Sequence, residues 1–180
     1  MKKRKKSLNN LSNFGNSELI YKTVYESPIG KIFIYSDGFS LIEVRLYKSK
    51  HKLIDDDVAI IKDDLEVFDL TKSWLNQYFK GEKPLPTVLP LKFFGSEFQK
   101  KVWNILYKIP YGEVLTYKDI ARKISLKMSA QTVGNAVSHN PFLIIVPCHR
   151  VIGTNHKLIG FSAGLDVKKY LLQLENVSFK

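Results

Sequence analysis

A single cysteine in 180 residues excludes any intrachain disulfide, and four scattered histidines leave a structural zinc site with no cluster of ligands to build on. No apolar run approaches the roughly 18 residues needed to span a bilayer. The basic residues Lys2 to Lys6 are not followed by an apolar stretch either, so neither a membrane anchor nor a secretion signal is indicated. Acidic residues are few, 17 against 28 Lys and Arg, which leaves a net charge of +11. What is present is a soluble, globular composition, 44% hydrophobic, enough to bury a core as one domain or two small ones. No metal and no cofactor is expected. An unpaired thiol keeps best where thiols stay reduced, so a cytoplasmic location is expected.

The basic excess is uneven. Residues 1–18 carry five Lys/Arg and one Asp/Glu, residues 19–90 carry ten and eleven, and residues 91–180 carry thirteen and five. A polyanion such as nucleic acid is the partner this distribution suggests, because phosphate contacts supply most non-specific affinity. Residues 1–18 lack the apolar content to fold and read as a disordered basic tail.

Residues 19–47 predict a three-stranded meander, rich in Tyr, Val, Ile and Phe and broken by turn signals at Ser27-Pro28-Ile29-Gly30 and Asp37-Gly38. Ile42, Val44 and Leu46 should share one face. Leu65, Phe68, Leu75 and Tyr78 recur at helical spacing, with Asp63 as the cap and Gly81 as the stop. The acidic groups Asp55 to Asp57 and Asp63-Asp64 read as a solvated loop and a helix cap, with no histidine pair to make them a metal site. Pro84, Pro86 and Pro90 mark residues 83–91 as a linker between an α+β domain, 19–82, and a second domain, 92–180.

The second domain opens on the capping box Ser96-Glu97-Phe98-Gln99, followed by the stripe Phe98, Val102, Ile105, Leu106 and Ile109. A helix-turn-helix follows, its first helix capped by Thr116 and its second by Ser129, the latter built from small residues including Ala130, Gly134, Ala136 and Ser138. Gly134 costs about 1 kcal/mol in a helix relative to alanine, so close approach of another backbone, or packing, should account for it. A last helix from Asp166 to about Glu175 carries Val167, Tyr170, Leu171 and Leu174. His51, His139 and His156 show no partner pattern and read as surface residues.

Chemistry concentrates in Val146-Pro147-Cys148-His149-Arg150-Val151. Pro147 biases Val146 toward extended geometry, so the thiol is expected to be presented rather than packed. His149 and Arg150 set a base and a permanent charge beside it, which favours the thiolate. Neighbouring residues of an extended segment point to opposite faces, so a bridging water is expected to carry the proton between Cys148 and His149.

Phe98-Gln99 with Val102-Trp103, Ile109-Pro110-Tyr111-Gly112, Thr116-Tyr117, Val133-Gly134, Asn140-Pro141, Pro147 to Val151, and Gly160 to Gly164 before Leu171-Leu172 and Glu175 together resemble the methylated-DNA-protein-cysteine methyltransferases, also called O(6)-alkylguanine-DNA alkyltransferases. The resemblance covers about residues 92–176, while residues 19–80 are similar in architecture to a ribonuclease-H-like sheet and helix. It implies an α+β fold with a mostly helical second domain, and single-use transfer of an alkyl group from guanine in double-stranded DNA to Cys148 by a monomer. It further implies that His149 takes the Cys148 proton, Glu175 orients the imidazole, Tyr117 bonds the flipped base, and Asn140 braces the turn. Val151, Gly160, Phe161 and Ser162 would bind the guanine, and Ala130, Gln131, Thr132, Gly134, Asn135 and Arg150 the DNA. Two positions depart from the family pattern. Gln131 stands where an arginine usually fills the vacated stack, and Phe161 where a tyrosine is common. A non-catalytic lesion binder on the same scaffold is the alternative, a role that has no need of the thiol machinery.

Overall fold

The computed structural model of the chain describes residues 19–47, 49 and 51–180. The expected basic tail, 1–18, lies outside the described residues.

Strands β1 (Tyr21–Ser27), β2 (Gly30–Ser36) and β3 (Leu41–Leu46) form the expected antiparallel meander, and the short β4 (Ile60–Ile61) adds parallel to β1, giving the order β3-β2-β1-β4. Val44 and Leu46 face the main core opposite Ile34 and Ile32. Ile42 does not join them. A register shift between Tyr35 and Ser36 leaves Ile42 as an extra residue, so the side-chain alternation reverses there and Ile42 packs with Ile20, Tyr35 and Ile54 instead.

Helix α1 (Glu66–Phe79) buries Val67, Phe68, Thr71, Trp74, Leu75 and Tyr78, a stripe at helical spacing. It starts without a side-chain cap, because Asp63 accepts the hydroxyl of Thr23 on β1 rather than a backbone N–H of the helix. The acidic loop is likewise more engaged than a solvated loop would be. Asp56 accepts bonds from Tyr35, Arg45 and Lys52, while Glu43 accepts the N–H groups of Leu53 and Ile54. Those bonds pin residues 51–56 across the sheet and so fix the position of His51.

The two halves share one core, in which Ile32, Ile34, Val44, Phe68 and Leu75 pack with Val102, Leu106, Phe142 to Val146 and Leu171. They are also joined through backbone. The edge of β3 pairs with two later segments, Leu41 bonding Pro90 and Lys92, and Val44 bonding Pro141 and Leu143. An exposed edge is thereby covered, and the apolar run leading to the cysteine is tied to the sheet. The segment 83–91 is pinned too, since the Trp74 indole donates to the Leu85 carbonyl and Leu89 is buried.

Beyond it, α2 (Glu97–Tyr107) starts at the expected capping box, with Ser96 and Gln99 exchanging bonds. The helices α3 (Tyr117–Ile124) and α4 (Ala130–Ser138) form the helix-turn-helix, capped by Thr116 and Ser129 as their sequence dictates. Trp103 of α2 donates its indole N–H to the Ala136 carbonyl of α4 at 2.9 Å, which fixes α4 against the core. Two short strands, β5 (Leu115–Thr116) and β6 (Val151–Ile152), pair in parallel. The last helix, α5 (Leu165–Leu174), buries Lys168, Leu171 and Leu172, whereas Val167, Tyr170 and Leu174 of the expected stripe are only partly covered. Among the described residues no helix is long and apolar enough to cross a membrane.

Gly95 stands at the contact between α2 and its own entry loop, where an added Cβ would meet the Trp103 ring at 2.6 Å. Gly95→Ala is therefore expected to displace Trp103 and lower stability by about 1–3 kcal/mol, measured by urea denaturation. An unchanged midpoint would show that the ring yields without cost.

Candidate active site

Residues 142–146, the apolar run before Pro147, fold into a tight turn. Val146 N–H returns to the Phe142 carbonyl, and Ile144 takes φ 68°, a left-handed conformation rare for a β-branched residue. Such strain, on the order of 1–3 kcal/mol, persists where the surroundings over-determine it. Asn140 does this. Its side-chain amide donates to the carbonyls of Val146 (2.7 Å) and Phe142 (3.2 Å) and to Cys148 Sγ (3.1 Å), and its carbonyl accepts Phe142 N–H.

Cys148 begins a single 3-10 turn, Cys148–Arg150, and is only 4% exposed. The expectation of a presented thiol is corrected here, because the tight turn folds Sγ inward. Burial pushes the thiol pKa up, against the Asn140 bond and the nearby Lys168 charge, which pull it down. His149 is fully buried, and burial pushes its imidazole down, with Arg150 and Lys168 adding to that push and Glu175 opposing it. The resting pair is thus a thiol beside a neutral imidazole, not the thiolate that basic neighbours alone would favour.

The carboxylate of Glu175, just past the end of α5, organises the buried side of the site. Its Oε1 lies 2.7 Å from His149 Nε2 and accepts the Tyr78 hydroxyl at 2.6 Å and Arg150 Nη2 at 3.0 Å, while Oε2 accepts Arg150 Nε at 2.8 Å and Gly112 N–H at 3.1 Å. Burial would raise its pKa, but the hydrogen bonds from His149 and Arg150 and the Arg150 charge hold it well below the usual carboxylate range. An ionised carboxylate only accepts, so the proton of neutral His149 sits on Nε2, and Nδ1 keeps its lone pair. His149 Nδ1 is buried and has no hydrogen-bond partner among the described residues.

Arg150, expected to contact DNA, is turned inward instead. It is 8% exposed, and besides Glu175 it donates to the Ile109 carbonyl at 2.6 Å. A buried carboxylate so close is a stronger partner than solvent. Gly112 has φ 82°, and its missing Cβ would lie 3.2 Å from the Glu175 carbonyl, so glycine is what lets this turn reach the carboxylate.

On the other side, Cys148 opens onto a cavity of about 340 Å³ walled by Tyr117, Gly134, Val137, Ser138, Gly160, Phe161, Ser162, Gly164 and His51. Tyr117 lies with its hydroxyl 3.4 Å from the carbonyls of Ile159 and Gly160, its pKa raised to about 12 by burial and then by the Cys148 charge. Gly134 faces the Tyr117 ring, 3.7 Å from its would-be Cβ, so the neighbour is a side chain and not a backbone. Val151 is fully buried, and its carbonyl already accepts Lys168 Nζ at 2.5 Å. Ala130, Gln131, Thr132 and Asn135 lie exposed on α4. His51 and His139 are exposed as expected, but their rings pack 4.4 Å apart.

Three contributors were not singled out from the sequence. Lys168 is buried and donates to the carbonyls of Val151, Ile159 (2.8 Å) and Gly160 (3.1 Å), its pKa brought down to about 8 by burial. Its signal was available, since 168, 171, 172 and 175 follow the i, i+3, i+4, i+7 spacing of one helix face. Tyr78 and His51 carried none, because both reach the site from the other half of the chain.

Two family models match the chain in succession. The ribonuclease-like domain of 6-O-methylguanine DNA methyltransferase matches residues 20–93, and the DNA binding domain of the same enzyme matches residues 97–177. A sheet unit of the first kind joined to a helix-turn-helix unit of the second defines a class of two-part, cysteine-bearing DNA methyltransferases. The chain belongs to the 6-O-methylguanine DNA methyltransferase family. It is 44% identical to the methylated-DNA–protein-cysteine methyltransferase of Methanosarcina acetivorans over 87% of this chain and 98% of that one. With the Haemophilus influenzae protein of the same name it shares 38% identity, over 89% and 88%. The crystal structure of Mycobacterium tuberculosis OGT in complex with DNA superposes with a TM-score of 0.79 at 36% identity, covering 86% of this chain and 92% of that chain.

Glu175→Gln would leave the Arg150 guanidinium buried without a counter-charge and is expected to cost about 3–5 kcal/mol near neutral pH. Because the folded carboxyl is depressed below its ordinary 4.5, its contribution is complete above that pH and is lost as pH falls further. Urea midpoints of the two proteins should therefore converge below about pH 4.5. A constant gap down to pH 3 would contradict this account.

Proposed function

We propose that this protein repairs alkylated DNA by moving a methyl or small alkyl group from O6 of guanine to Cys148 Sγ. The observation that carries the reading is the position of Cys148, with the charge-holding Glu175–His149 pair behind it and a base-sized cavity in front, walled by both helices of the helix-turn-helix. His149 Nδ1 takes the thiol proton through a water, and Glu175 stabilises the imidazolium that results. The thiolate then attacks the alkyl carbon from behind, the new C–S bond forming as the C–O6 bond breaks and guanine leaves. Tyr117 donates to the departing base. Asn140 holds the strained turn so that Sγ meets the cavity, and Gly160, Phe161 and Ser162 line the base. The thioether has no hydrolytic route back, so each molecule acts once.

The target carbon is unreachable in a stacked duplex, so the base must flip, at a cost of a few kcal/mol. The exposed residues Ala130, Gln131 and Thr132 at the start of α4, with Asn135, are the proposed DNA contacts, and Gln131 is the residue that enters the stack. Gln131 bonds an orphaned cytosine but lacks a guanidinium's charge and stacking surface, so flipping is weaker than with arginine. Domains 19–82 and 92–180, linked by 83–91, a monomeric state, and work in the reducing cytoplasm complete the proposal. Methylated thymine O4 is a second substrate of the same chemistry.

DNA carrying a labelled methyl on guanine O6 tests the reading. The label is expected on Cys148, and Cys148→Ala should abolish transfer while keeping duplex affinity. Label left on DNA despite tight binding would favour the lesion binder. For Gln131→Arg, repair in duplex DNA should quicken roughly tenfold with repair of single strands unchanged. Equal duplex rates and affinities in the two proteins would remove the proposed weakness of flipping.

A further inference from the structure

Tyr78 belongs to the N-terminal half, yet its hydroxyl sits at the centre of the reaction machinery. The phenol is 1% exposed, stacked on Trp74 (5.7 Å, 7°) and edge-on to Tyr111 (6.0 Å) and His149 (6.4 Å). A stripe position on α1 needs only an apolar ring, and a buried hydroxyl is costly unless bonded. It has one proton to give, and Glu175 Oε1 takes it at 2.6 Å. The phenol oxygen then lies 3.3 Å from His149 Nε2, near enough for Nε2–H to share itself between Glu175 and Tyr78. Among the described residues, Tyr78 is the only donor to Glu175 from the N-terminal half.

We propose that Tyr78 is a positioning residue for the base of the alkyl transfer, lowering the imidazole's proton affinity by competing for Glu175 Oε1. This rests on the function proposed above. The groups facing His149 from each packed element are Tyr78 from α1, Tyr111 from the turn after α2, Cys148 and Arg150 from its own turn, and Lys168 and Glu175 at α5. Of these, Glu175 alone favours the imidazolium, and every donor to Oε1 weakens that hold. Burial first, and then the Glu175 charge, keep the phenol protonated, so its proton stays on offer to Glu175. Its removal makes the carboxylate a stronger partner for the imidazolium. His149 accepts the thiol proton only when neutral, so transfer slows as pH falls through the imidazole's pKa. Without the hydroxyl, that acid limb should move up.

Tyr78→Phe keeps the ring and removes the donor. The pH profile of single-turnover methyl transfer should show its acid limb raised by about half to one unit, and 15N NMR of His149 in the protein without DNA should show the same rise. Replacing Tyr78 with 3-fluorotyrosine, a stronger donor, should move both midpoints down. A folded Tyr78→Phe protein with neither midpoint moved overturns the proposal, as does a fluorotyrosine protein without a downward shift should the phenylalanine variant fail to fold. Absence of methyl transfer in the unsubstituted protein would count against the proposed function alone, because the NMR titration judges Tyr78 without DNA.

Discussion

A carboxylate without water must be matched by donors or lose its charge, and the matching of Glu175 is the constraint on which this structure turns. Its donors arrive from α1, from the turn after α2, and twice from the reactive turn, so pieces of chain up to 97 residues apart in sequence converge on two oxygen atoms. Remove the charge and Arg150 has no reason to point inward, nor His149 to keep its proton on Nε2. The same group thus sets the packing of the C-terminal half and the chemistry of its cysteine.

Burial works against the nucleophile and for its selectivity at once. A thiol held neutral behind a narrow cavity does not react with passing electrophiles, because the thiolate is the reactive species. Charge separation becomes favourable only when a bound base supplies an alkyl carbon to attack. In this arrangement reactivity is released by occupation of the site, and the Asn140 amide, already bonded to Sγ, and the nearby Lys168 charge need no rearrangement to stabilise the developing thiolate.

Local signals were legible in the sequence and distant partners were not. Ser96, Thr116 and Ser129 cap their helices because a cap depends only on residues two or three positions away. Asp63 met the same rule and failed it, since a strand hydroxyl 40 residues earlier outcompeted the helix. Ile42 changed faces through one inserted residue, which no alternation pattern reveals. Arg150 was placed at the DNA by the family resemblance, and its inward turn follows from a carboxylate 25 residues later. The chain of residues resembling a known family located Cys148, His149, Asn140, Tyr117 and Glu175 together, where spacing alone gave only the first two. Tyr78 was hidden by its company, because an aromatic on a buried stripe looks the same whether or not its hydroxyl is used.

The shortest sheet in the molecule has a mechanical consequence. Leu115 pairs with Val151 and Thr116 with Ile152, so the cap of the first recognition-motif helix and the strand leaving the reactive turn are locked in register. Tyr117 follows one member of this clasp directly, and Cys148 precedes the other by three residues. Here a tilt of α3 pulls on the segment that carries the cysteine, and the angle at which the protein grips DNA becomes an input to the geometry of the sulfur.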